Sequence, residues 1–67
     1  MEFKDRLRQL RNEKEMSQEQ LGKRFNVIKQ TASSWETGAS RPDINLACEL
    51  ANFFNVSTDY LLGRTNI

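Results

Sequence analysis

The sequence contains no histidine, a single cysteine (Cys48), a single proline (Pro42) and only three glycines. Each scarcity excludes something. A lone cysteine cannot form an internal disulfide. Without histidine or a second cysteine, the usual zinc sites and most nucleophile–histidine catalysis are excluded. No acid–base pair, metal cluster or phosphate-binding glycine loop stands out. No cofactor, metal or small-molecule substrate is therefore expected, and the chain is not expected to be an enzyme. Long apolar runs are also missing. The opening MEFKDRLRQL is charged, so it reads as neither a signal peptide nor a membrane span. With an unpaired cysteine, this favours the cytoplasm and no membrane partner.

What is present fits one small domain of 67 residues, whose core gives modest net stability unless caps or a partner subunit help. Net charge is only +1, from ten basic and nine acidic residues, a small surplus for a nucleic-acid binder. Its distribution says more. Between Ser17 and Pro42 the bases are Lys23, Arg24, Lys29 and Arg41, against only Glu19 and Glu36.

Five helices are expected. The first, roughly Glu2 to Lys14, carries Phe3, Leu7 and Leu10 as an apolar stripe, with its charges mostly solvated and Arg11 at the stripe's edge. Ser17 and Gln20 form a capping box before the second helix, and Met16 and Leu21 have the spacing of a hydrophobic staple. This helix turns Leu21 and Phe25 inward. Gly22 in its middle costs ~1 kcal/mol against alanine, which suggests close approach of another helix. Asn26 stops it, since asparagine tolerates the left-handed conformation, and Val27 plugs the turn. The third helix, roughly Lys29 to Glu36, has Ile28, Ala32 and Trp35 on one side and Lys29, Gln30, Ser33, Ser34 and Thr37 on the other. Gly38 caps its end. A loop, Ala39 to Pro42, leads to Asp43 as cap of an apolar fourth helix, Ile44 to Phe54, central to the core or shared with a partner. Asn55 ends it. Ser57 caps a last short helix, Thr58 to Leu62, ended by Gly63. The domain is expected to span 1–63, with 64–67 a frayed tail or the start of a linker. Trp35 could stack on a base, but its spacing places it in the core. Cys48, beside Ala47 and Ala51, reads as a small buried hydrophobe. Tyr60, Leu61 and Leu62 could close the monomer core or form a dimer seam.

These residues resemble the helix-turn-helix domain of phage repressors and Cro proteins, the XRE family. The resemblance rests on Ser17-Gln18-Glu19, Leu21 and Gly22, Val27, Trp35-Glu36-Thr37-Gly38, Arg41-Pro42 and the closing run Asn55 to Gly63. It covers nearly the whole chain and implies a five-helix, lambda-repressor-like, all-α fold with the helix-turn-helix as helices two and three. It implies a sequence-specific regulator of transcription, a repressor in expectation. Gln18 matches a position that contacts the DNA backbone; Lys29, Gln30 and Ser34 match positions that reach base edges, with Ser33 and Thr37 on the rim. Arg11 and Glu36 match an ion pair between the first and third helices, which would also aim Arg11 at a phosphate. Two departures stand out. Ile28 occupies an N-cap where the family favours serine or threonine, a loss of ~1 kcal/mol that would leave this helix start loose until DNA is bound. Ala32 replaces a larger aliphatic residue.

The same face suits DNA on physical grounds. A helix fits the major groove, where each base pair displays its own donor and acceptor pattern. Gln30 donates and accepts, which suits adenine; Lys29 suits guanine or a phosphate; the short Ser33 and Ser34 let the helix sit deep. Gln18, Lys23, Arg41 and helix-start N–H groups would hold the backbone. One domain reads few base pairs, so a homodimer on an operator of two half-sites is expected, joined through Phe53, Phe54, Tyr60 and Leu61. The alternative is a helical protein-interaction module that has lost DNA contact.

Overall fold

The computed structural model describes residues 2–65. Five helices follow in order: α1 (Phe3–Glu13), α2 (Gln18–Arg24), α3 (Lys29–Thr37), α4 (Ile44–Phe53) and α5 (Thr58–Leu61). Among the described residues there is no strand. Asn66 and Ile67 of the expected tail lie outside the described residues. The Arg64 N–H donates to the Asp59 carbonyl at 2.9 Å.

Local chemistry sets the helix ends. Ser17 Oγ accepts from Gln20 N at 3.0 Å, and Gln20 Oε1 accepts from Ser17 N at 2.8 Å, completing the capping box. Asp43 accepts from Leu46 N and Ser57 from Tyr60 N. Asn26 and Asn55 take positive φ (62° and 59°), as stop residues do. Glu15 also takes a positive φ of 56°, which its sequence gives no reason to expect. Gly38 ends α3 at φ 85°, with Ala39 N and Ser40 N both donating to Ser34 O.

Phe3, Leu7, Leu10, Leu21, Ala32, Trp35, Leu50, Ala51, Phe54 and Leu61 form one buried cluster. α3 is held between α2 and α1, and α5 between α4 and α1. Gly22 permits the tight turn between α2 and α3: a Cβ there would lie 2.7 Å from the Val27 carbonyl oxygen and 3.4 Å from the Ile28 carbonyl. The close neighbour is thus the backbone of the turn, where the sequence suggested a helix.

Three further expectations are corrected. Ile28 does not share the buried face of Ala32 and Trp35; it is 66% exposed. Its extended backbone (φ −77°, ψ 160°) takes it off the helical repeat that places the other two. Cys48 is exposed, on the outer side of α4, and its Sγ accepts a weak hydrogen bond from Thr58 Oγ1 at 3.6 Å. Phe54 (6% exposed) and Leu61 (0%) belong to the monomer core, so neither forms a dimer seam. Phe53 and Tyr60 are half-buried and remain at the surface.

Candidate nucleic-acid interface

The site is built outward from Glu36. Its carboxylate is 2% exposed as a side chain, a costly position for a charge unless fully paired. Arg11 pairs it: Nε donates to Oε2 at 2.6 Å and Nη2 to Oε1 at 3.0 Å, a two-pronged contact. Arg11 Nη1 also donates to the Met16 carbonyl at 2.6 Å. Gln18 Nε2 reaches Glu36 Oε1 at 3.3 Å. One side chain of α3 therefore ties α1 and α2, and Arg11 carries the network on to the loop between them. The hydrogen bonds from Arg11 to Glu36 raise the guanidinium's pKa above its ordinary value; burial opposes the rise, and the carboxylate's charge adds to it.

Arg8 extends this network. Nη2 donates to the Glu36 backbone carbonyl at 2.7 Å, and Nε lies 3.7 Å from Glu36 Oε1. Sequence reasoning missed it. The clue was available: Arg8 and Arg11 stand three apart on a helix and share a side. Arg6 was missed as well. It is 4% exposed, lies over the Tyr60 ring at 3.9 Å and donates to the Tyr60 carbonyl at 3.2 Å, so it is not a solvated charge.

With Ala32, Trp35 and Glu36 buried at 0%, 2% and 1%, the opposite side of α3 faces out. Lys29 and Gln30 are exposed, Ser33 and Ser34 half-buried. With Thr37 they line one shallow concavity. Among the described residues, the side chains of Lys29, Gln30 and Ser33 hydrogen-bond to nothing in the fold. Ser34 differs: its Oγ donates to Thr31 O at 2.7 Å and shares a hydrogen bond with Ser40 Oγ at 2.5 Å. Thr37 Oγ1 donates to Ser34 O at 3.2 Å. These two hydroxyls hold the C-terminal end of α3 and its loop, so the freest donors and acceptors lie at its N-terminal end.

Lys23 and Arg41 are exposed beyond α3 in both directions along the chain. Arg24 is exposed too, with its guanidinium 5.1 Å from the Phe25 ring and 5.0 Å from the Phe53 ring. Arg11 is half-buried: its side chain is 13% exposed, and each of its three nitrogens is bonded within the fold, which spends three of its five N–H groups. Gln18 is half-buried and spends one amide N–H on Glu36. No side chain caps α3; Ile28 supplies only its carbonyl, to Thr31 N and Ala32 N.

The sequence model of the helix-turn-helix family matches residues 7–61, nearly all of this architecture. The chain belongs to the helix-turn-helix family. Among relatives of this helix-turn-helix domain, the transcriptional activator BcrR of Enterococcus faecalis is 39% identical over 63 residues, 94% of this chain and 31% of that protein. The uncharacterised regulator YobD of Bacillus subtilis is 34% identical over 61 residues, 91% of this chain and 54% of that protein. The regulator ImmR of Bacillus subtilis is 31% identical over 67 residues, 100% of this chain and 53% of that protein. The domain thus spans between 31% and 54% of the length of these three relatives.

Proposed function

We propose that this domain binds double-stranded DNA in a sequence-specific way and serves in the control of transcription, with α3 lying in the major groove. The observation that carries the reading is the division of α3: Ala32, Trp35 and Glu36 are locked inside while Lys29 and Gln30 stand in solvent at its N-terminal end. Those two residues are the base readers, with Ser33 beside them and Ser34 next to it, whose hydroxyl gives its hydrogen to Thr31 O, shares a bond with Ser40 and meets a base only through its remaining lone pair. Lys23, Arg41 and Gln18 hold phosphates, and Thr37 meets the backbone at the rim. Two copies bind two half-sites. Of the four side chains expected to join them, Phe53 and Tyr60 are the two still at the surface.

A regulator that only binds can repress, because occupying DNA excludes a polymerase from the same stretch; activation needs a further contact. Repression is therefore the action assigned to this domain by itself, although the relative BcrR is named an activator. The cytoplasm, where the DNA of such a regulator lies, is its proposed location. Among the described residues no helix is long and apolar enough to cross a membrane.

The test is a fluorescence-anisotropy titration against pooled duplexes at two salt concentrations. Affinity is expected to fall steeply with salt and to differ between sequences. Binding indifferent to both, or none, would favour the protein-interaction module.

A further inference from the structure

We infer that Ile28 is a specificity residue that recognises the C5-methyl group of a thymine. This rests on the DNA-binding reading above and names a reader outside the polar set. Ile28 is 66% exposed, whereas Ala32 and Trp35, with which its sequence spacing groups it, are 0% and 2% exposed. Exposure of a large aliphatic side chain gains nothing for the monomer. Its position also forgoes a cap: no side chain accepts from the start of α3, where serine or threonine would. Isoleucine here is unfavourable to the fold on both counts.

Its place supplies the compensation. Ile28 immediately precedes Lys29 and Gln30, at the end of the helix that meets base edges in helix-turn-helix complexes. The thymine methyl is the apolar feature of the major groove, and apolar side chains contact it. The Ile28 backbone is also tied to α2. Val27 N donates to Gly22 O at 2.8 Å, and the backbone of Val27 and Ile28 packs on the bare Cα of Gly22, too close for a methyl group. The Ile28 side chain therefore projects from backbone packed against α2. Ile44 is equally exposed, at 64%, but opens α4. Exposure alone does not single out Ile28; adjacency to the reading pair does.

The experiment replaces each thymine of a selected duplex in turn by deoxyuridine, which lacks only the methyl. The wild-type chain is expected to lose about fourfold in affinity at one position of each half-site, the effect of one buried methyl. Ile28→Ser and Ile28→Ala should bind the thymine and deoxyuridine duplexes equally. Ile28→Ser should also melt higher than wild type, because the cap is restored, while binding the thymine duplex more weakly. Ile44→Ser should keep the wild-type sensitivity. A wild-type chain indifferent to every replacement, or Ile28 variants as sensitive as wild type, would overturn the inference and leave the DNA-binding reading intact. Failure to prefer any duplex would overturn both.

Discussion

Glu36 carries more of the fold than any exposed residue. Its carboxylate accepts from Arg11 and Gln18, and its backbone carbonyl accepts from Arg8. Glu36 is buried but Arg11 is half-buried, so losing the carboxylate is expected to cost less than the ~3–5 kcal/mol of a fully buried pair and more than the ~1 kcal/mol of an exposed one. Glu36→Ala should therefore lower the melting temperature clearly, as read by circular dichroism. A loss below ~1 kcal/mol, the value of an exposed pair, would show that the network adds little. At the outer face the expected effects concern binding. Gln30→Ala should cost ~1–3 kcal/mol on the preferred site and relax the choice of one base. Lys23→Ala should weaken all sequences alike and reduce the salt slope by about 1. Titrations of both variants against matched and altered duplexes check this; identical profiles would mean the reading face is misplaced.

Among the elements, the turn from α2 to α3 is the most constrained. Gly22→Ala would gain ~1 kcal/mol in helix propensity, but its methyl would lie 2.7 Å from the Val27 oxygen. Overpacking of this kind costs ~1–3 kcal/mol, and the obstacle is backbone, which gives little. A net loss is expected, read as a lower melting temperature together with weaker DNA binding as α3 shifts; a variant that melts higher would show that the turn yields. The helices themselves were legible in the sequence because their ends are local. The capping box at Ser17, the stops at Asn26 and Gly38, and the caps at Asp43 and Ser57 each depend on residues a few positions apart. The Arg11–Glu36 pair came from resemblance. What stayed hidden was set by distant contacts. Arg6 occupies the apolar repeat of Phe3, Leu7 and Leu10, but its burial depends on Tyr60, 54 residues away. The outward turn of Cys48 depends on how α4 rolls on the core, which alanines on both sides of it do not fix. Ile28 obeyed the helical spacing on paper and escaped it because a cap residue is not helical.

As a whole the molecule measures 28 × 23 × 20 Å. Its longest dimension is shorter than one turn of DNA, ~34 Å, so one copy addresses one stretch of groove. Two copies on half-sites about 10 base pairs apart should bind cooperatively. Inserting about five further base pairs places the half-sites on opposite faces of the duplex and should abolish the cooperativity in a gel-shift series; unchanged cooperativity would count against a dimer of this geometry. Lys29 and Gln30 stand in solvent, and their side chains hydrogen-bond to nothing in the described fold. Their identities can be exchanged without retuning the scaffold, so on the reading proposed above a few substitutions there would give this domain a different operator.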